Sequence, residues 1–276
     1  PLLAIVLMLL FGLAVFSGLG QNPATAFHAF FVEPINDLYG FGELLIKASP
    51  LALIALGLSV GFRANIWNIG AEGQLTMGAI AAGGVALAMP EASSWVVLPL
   101  MFIAGALGGM LWASIPAVLK TRFNTNEILV SLMLVYVAGL FLSWLIHGPW
   151  RDPDGYGFPQ SRMFEASALL PVLLEETRVH AGVLITAVAL GLAMVFFRWS
   201  LLAFQMRVSG LAPRAAAYAG FNQPRMVWIG LLIGGAAAGI AGTCEIAGPI
   251  GQLLMPLSPG YGFAAIIVAF VGRLHP

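Results

Sequence analysis

Long apolar runs, repeated from one end of the chain to the other, constrain this sequence more than any other feature. They fall at residues 2–19, 44–62, 66–89, 95–119, 128–147, 181–199, 227–246 and 261–272. Each comes close to the ~20 residues that an α-helix needs to cross the ~30 Å hydrocarbon layer of a bilayer. Backbone N–H and C=O groups in lipid have to be satisfied within the protein, which restricts such runs to helices. The expected fold is therefore all-α, a polytopic transmembrane helical bundle of about eight spanning segments forming one domain over residues 1–276. Only 9% of the residues are charged, against roughly 25% in soluble domains, and this excludes an ordinary soluble enzyme. The run at 2–19 lacks the basic flank of a signal peptide and is expected to be a first spanning helix.

The sparse charges are sorted by side. Twelve basic residues balance twelve acidic ones, so no overall field invites nucleic acid, and none is expected as a partner. If the first helix runs outward, Arg63, Lys120, Arg122 and the segment 200–226 with Arg207, Arg214 and Arg225 fall inside. That inner segment holds no acid. The outer side receives Glu33, Asp37, Glu43 and Glu91, together with segment 148–180, which carries five acids against Arg151, Arg162 and Arg178. The excess of Lys and Arg on one side sets the orientation, placing 200–226 in the cytoplasm and 148–180 outside. The outer segment is rich in turn dipeptides, Gly148-Pro149 and Phe158-Pro159 among them, and reads as a loop with room for a short surface helix. The chain begins without methionine and stops soon after an apolar run, so further terminal segments are expected.

Several activities lack the residues they need. No Gly-Lys dipeptide occurs, so there is no G-x-x-x-x-G-K-[ST] loop to hold nucleotide phosphates. His28, His147, His180 and His275 are scattered without metal-ligand spacing, and no serine sits in a G-x-S-x-G setting. No catalytic residue, metal or resident cofactor is expected. The single cysteine, Cys244, lies in an apolar run and reads as helix packing. Small residues four apart do recur: Gly57 with Gly61, Gly105 with Gly109, Gly230 with Gly234, and Gly235 with Gly239. In lipid such pairs let helix backbones approach closely.

Four stretches place polar or helix-breaking residues where the pattern is otherwise apolar. The first, residues 61–76, carries Asn65, Trp67, Asn68, Glu72 and Gln74. A carboxylate at the centre of a membrane helix costs roughly 2.5–3.5 kcal/mol on insertion scales, so Glu72 has to face protein or a watery cavity. At helical spacing Asn65, Asn68, Glu72 and Thr76 would share one face, although Gly70 and Gly73 can break the helix there. Two readings stand. These groups line a translocation path, or they cap and cross-link helices with Glu72 paired to Arg63 or another cation. The second stretch, Thr125-Asn126-Glu127, has the chemistry of a helix start. In the third, Ala212, Pro213, Arg214, Tyr218 and Gly220 describe a cytosolic helix of about two turns, started by proline and stopped by glycine. A helix that short needs support, and it is expected to dock a partner protein. The fourth sets Pro259, Gly260 and Gly262 after Glu245 and Gln252, either a break in the membrane region near the pathway or an ordinary outer loop.

Together these stretches resemble the inner-membrane permease subunit of bacterial ABC importers of the branched-chain amino acid and simple-sugar type, and within it the general nucleoside permeases. The resemblance rests on RANIWNIGAEGQ (63–74), TNEILVSLML (125–134), APRAAAYAGFN (212–222) and PGYGFAAIIVAFVGRLHP (259–276). The second departs mildly, with Val135-Tyr136 following it where a polar residue before the tyrosine is expected. The resemblance implies a multi-pass protein of the bacterial inner membrane, surrounded by membrane lipid. It implies a second permease subunit, an ABC ATPase subunit that binds the ATP, and an external solute-binding lipoprotein. The alanine-rich stretch would be the coupling helix, and the cargo a small polar solute, nucleosides first and simple sugars next. A stand-alone secondary transporter is the alternative, with Glu72 and Glu245 as the acids deep in apolar runs.

Overall fold

The computed structural model describes residues 2–275; Pro1 and Pro276, the last residue of the fourth motif, lie outside the described residues. Helix α1 (Leu2–Gly18) is followed by two short helices, α2 (Pro23–Phe31) and α3 (Glu33–Asn36). The bundle proper comprises α4 (Leu38–Arg63), α5 (Ala71–Ala88), α6 (Ser94–Phe123), α7 (Glu127–His147), α8 (Gly182–Trp199), α9 (Leu201–Leu211), α10 (Pro213–Tyr218), α11 (Gln223–Glu245) and α12 (Tyr261–Val271). Every apolar run in the sequence holds a helix, although the run at 66–89 becomes helical only from Ala71. Among the described residues, α4, α6, α7, α8 and α11 extended to Ile250 are long and apolar enough to cross a membrane. Helix α5 is as long as α8 but less apolar and sits inside the bundle, and α1 and α12 are shorter apolar helices.

Local chemistry sets the helix ends. The Asp37 carboxylate accepts the Gly40 N–H at 2.6 Å to start α4. Asn124, at φ 51°, closes α6, and two residues on the Asn126 side chain accepts the N–H of Ile128 at 2.9 Å to open α7. Glu127 in the first turn of α7 then pairs with Lys120 in the last turn of α6 at 2.9 Å. The Thr-Asn-Glu stretch is thus a helix start.

Helix α11 is the hub, flanked by α4, α5 and α6, and glycine makes it so. Gly57 and Gly61 of α4 meet Gly234 and Gly230 of α11, while Gly105 and Gly109 of α6 meet Gly239 and Gly235. A Cβ at Gly57 would lie 2.5 Å from that of Ala237, and one at Gly235 would lie 2.6 Å from the carbonyl oxygen of Gly109. All four small-residue pairs in the sequence are therefore helix crossings on one central helix, where backbone rests on backbone. Larger apolar residues fill the space around them, with Ile54, Leu58, Leu75, Met101, Leu142 and Ile146 essentially without exposure. Side chains on the perimeter, such as Leu111, Leu140 and Leu192, face outward, the inverse of a soluble protein and the pattern lipid requires.

The segment 148–180 is a strap. Its backbone joins the break after α11, with Ser161 N–H on Leu253 O at 2.8 Å, Phe164 N–H on Gly251 O at 2.8 Å and Leu170 N–H on Ala247 O at 2.7 Å. The Arg178 guanidinium grips Glu43 of α4 through two bonds, at 2.8 and 2.6 Å. The short helix anticipated in this loop is one 3₁₀ turn, Ala166–Ala168.

Candidate functional site

The polar stretch after α4 does not form the continuous helix that spacing suggests. Helix α4 stops at Arg63, Asn65 turns the chain at φ 57°, and residues through Gly70 run without helical structure before α5 starts at Ala71. Glu72 and Thr76 consequently share a face of α5, while Asn65 and Asn68 lie outside any helix. Gly70 is where α7 comes in: a Cβ there would lie 2.8 Å from the carbonyl oxygen of Ser131. Gly73 stays within α5 and packs against Val135, so only one of the two glycines bounds the helix.

Each polar group in the stretch has an identifiable partner. Asn68 and Gln74, both almost fully buried, exchange two side-chain hydrogen bonds at 2.8 and 2.9 Å, and the Asn68 carbonyl also accepts the N–H of Gly70 at 3.1 Å. Two amides closed on each other satisfy most of the polarity that burial would otherwise leave costly. The Trp67 indole donates to Asn65 Oδ1 at 3.0 Å and stacks on Phe270 at 5.6 Å between ring centres, with Phe62 at 5.3 Å from both rings. Asn65 is exposed and Trp67 half-buried.

Glu72 is paired, but not with a cation. Its carboxylate accepts the Gly262 N–H at 2.7 Å and a short bond from the Ser258 hydroxyl. Ser258 Oγ in turn accepts from the backbone of Gly260 at 3.1 Å and Tyr261 at 3.3 Å. Glu72 and Ser258 thus cap the start of α12, where the unpaired N–H groups and the helix dipole favour an anion. The helix-breaking residues serve this joint. Gly260 has φ 96°, and Gly262 lies so close to the backbone of Ala71 and Glu72 that no Cβ fits. Pro259 sits exposed at the turn between Ser258 and Gly260. Arg63, the cation considered for Glu72, is elsewhere, donating from Nε to the Leu274 carbonyl at 2.8 Å with its guanidinium 3.8 Å from the Phe197 ring centre.

The stub at 212–220 forms as its residues suggest. Ala212 is extended (φ −143°), Pro213 begins α10, and Gly220 at φ 80° ends it. Ala216 is buried and holds α10 down, whereas Ala212, Arg214 and Tyr218 are exposed, the tyrosine ring at 97%. Asn222 then accepts the Arg225 N–H at 3.0 Å and starts α11. A six-residue helix is held between two long ones, with a bare outer face.

Residues 40–276 match the family described as branched-chain amino acid transport system / permease component. The chain belongs to that family. The permease is 36% identical to a glucose ABC transporter permease protein of Haloferax volcanii, over 99% of this chain and 74% of that one. It is 30% identical to a guanosine ABC transporter permease protein of Bacillus subtilis, over 99% and 78%. With a nucleoside ABC transporter permease protein of Lactococcus lactis subsp. cremoris it shares 28% identity, over 100% and 78%. No solved structure matches. The permease is an integral membrane protein.

Two motifs read separately in the sequence of the permease therefore meet in space, 63–74 and 259–276, through Glu72, Ser258 and Gly262. Ser258 and Phe270 were not singled out by the sequence reading. Ser258 carried a usable signal, a serine two residues before a Gly that opens an apolar run, which is the composition of a helix cap. Phe270 carried none, since one aromatic in an apolar helix has no distinguishing pattern.

Proposed function

We propose that this permease is the membrane-spanning subunit of an ABC importer that brings a small polyhydroxylated solute, a nucleoside foremost, into the cytoplasm by alternating access. The observation that carries the reading is α10, a short helix whose Arg214 and Tyr218 side chains have nothing over them in the single chain. An ABC ATPase subunit would cover that face, bind the ATP and carry out its hydrolysis, leaving this chain without catalytic residues, cofactor or metal. A second permease subunit would complete the pathway, and an external solute-binding lipoprotein would deliver cargo to the side bearing segment 148–180.

Asn65 and Trp67, the accessible members of the polar stretch, are the residues proposed to touch solute, at the inner mouth of the path. Asn68, Glu72 and Gln74 form the adjoining wall and keep it rigid. Engagement of the Glu72 carboxylate by two donors supports an ATPase-driven importer over a secondary transporter, which would need that acid free to exchange its proton or ion. The relatives named for guanosine and nucleosides support nucleoside cargo. A sugar is the second reading, favoured by the relative named for glucose at 36% identity.

The test is Arg214→Glu combined with Tyr218→Ala in the full-length permease, assembled with its ATPase. Both side chains are exposed, so membrane abundance should stay at the parental level while solute-stimulated ATP hydrolysis falls at least about tenfold, the scale of 1.4 kcal/mol in coupling. Unchanged co-purification with the ATPase and unchanged stimulation would refute the docking role. Uptake competition between nucleosides and free sugars separates the two cargo readings.

A further inference from the structure

At the inner ends of α4, α9 and α12 the chain leaves a recess of about 380 Å³, walled by Arg63, Asn65, Arg207, Leu211 and Arg273. Three arginines from three separate parts of the sequence thus border one space. The recess is a product of the fold, since Gly210 lets α9 rest directly on the carbonyl of Arg63 with no side chain between them. Arg63 is held in position by its bond to Leu274 O and by the Phe197 ring.

This charge has no carboxylate partner among the described residues. Among the described residues the ion pairs join His28 with Glu33, Lys120 with Glu127 and Arg178 with Glu43, and none includes these arginines. The like charge of Arg207 bears on Arg63, and residues 198–226 contain no Asp or Glu to offset it. Convergent arginines without a carboxylate suit a phosphate, whose oxygens accept the planar fork of guanidinium donors. An apolar rim adjoins the arginines. Leu211, at 76% exposure, and Leu274 form that rim.

From this geometry we propose that the recess binds the phosphate headgroup of an anionic phospholipid of the inner leaflet, with its acyl chains lying along the rim. The proposal rests on the inward orientation of segment 200–226, and its recess shares Asn65 with the inner mouth proposed for the solute path. Basic pockets between helices on the cytoplasmic side are suited to such headgroups, drawn there by the negative surface potential of that leaflet. The rim distinguishes a lipid from a free anion, which would gain nothing from exposed leucine. A protein partner is the less favoured occupant, because α10 is the element that projects and the recess is set back among helix ends.

The experiment uses the full-length permease in its assembled transporter, stripped of lipid in detergent and placed in phosphatidylcholine nanodiscs with acyl-labelled phosphatidylglycerol. Saturable binding of phosphatidylglycerol is expected, weakened at least about tenfold by Arg207→Ala with Arg273→Ala and left unchanged by Arg225→Ala, an exposed arginine outside the recess. Arg207→Gln with Arg273→Gln should behave as the alanine pair does, which guards against a purely steric effect. Equal binding by the parent and both double variants would overturn the proposal. So would displacement of the lipid by millimolar inorganic phosphate, which would make the recess a site for free anions. Loss of ATPase co-purification with lipid binding intact would make it a protein contact, and that too would overturn it.

Discussion

Replacing Glu72 separates a structural carboxylate from a conducting one. In Glu72→Ala the Gly262 N–H loses its 2.7 Å acceptor in a place where Gly262 is buried and water cannot substitute. An unsatisfied buried donor costs about 1–3 kcal/mol. Loss of an anion from the start of a helix adds roughly 0.3–1 kcal/mol, and Ser258, no longer oriented by the carboxylate, caps Gly260 and Tyr261 less well. The expected loss is about 3 kcal/mol. Glu72→Gln keeps an oxygen for Gly262 but turns an N–H toward Ser258 Oγ, which already accepts two backbone bonds, so it should cost about 1 kcal/mol, for the lost charge and one weakened bond. Stability is read by denaturant titration in mixed micelles, and function by labelled-solute uptake at matched membrane abundance. Uptake should follow stability, with alanine impaired and glutamine near parental. The capping account is refuted if alanine is as stable as the parent. It is refuted equally if glutamine, with stability intact, abolishes uptake, because then the charge itself serves transport.

Two further outcomes follow from packing and burial. Gly109→Val should reduce membrane abundance severely, since its side chain would enter the backbone of Gly235 and Gly239 at a cost of about 3 kcal/mol or more. Gly139→Ala in α7, with nothing within 4 Å, should be neutral or stabilise by up to about 1 kcal/mol; quantitative immunoblotting of membranes compares the two. His180, at the end of the strap, is buried against Gly182 and Gly248 and accepts the Gly182 N–H at Nδ1, at 3.2 Å. Burial holds its pKa below the usual histidine value. The unfolded or detached strap therefore takes up a proton first, and its attachment weakens as pH falls below about 6.5 and stops weakening once the folded pKa is passed. Protease cleavage of segment 148–180 should rise with acidification over that window and lose this dependence in His180→Gln; a pH-independent cleavage rate in the parent would contradict it.

What could be read from the sequence divides by the range of the interaction. The apolar runs, the cap at Asn126, the stop at Gly220 and the glycine pairs on α4, α6 and α11 are local patterns, and each is realised where the pattern lies. The glycines even carried the architecture in outline: two pairs on α11, one on α4 and one on α6 make a hub with two neighbours. The start of α5 was harder, because Ile66, Trp67 and Ile69 continue the apolar composition of a helix while serving to pack a non-helical joint. Gly70 was the sole local signal of that boundary. The partner of Glu72 was out of reach, since Ser258 lies 186 residues further along the chain. A sequence shows that an intramembrane acid needs a partner, and it leaves open whether that partner is a cation, a solute or the end of a helix.

The same contacts constrain how force from an ATPase could cross this permease. Helices α4 and α6 touch α11 through backbone, so sliding one past another would drive carbonyl oxygens into Cα atoms, and the three have to move as one block. Helix α12 is bound to that block at both ends. Glu72 and Ser258 cap its start, while the rings of Phe62, Trp67 and Phe270 and the bond from Arg63 to Leu274 hold its finish. The joints with freedom to turn lie at the stub, where Ala212 is extended and Gly220 adopts φ 80°. A displacement of α10 would thus enter α11 at its Asn222 cap and tilt the block as a whole. Stiffening Gly220 tests this: Gly220→Ala forces a side chain into a left-handed backbone with open space around it, at a cost of about 1 kcal/mol. ATPase binding should survive that change while uptake per ATP hydrolysed falls, and an unchanged ratio would place the turning point elsewhere.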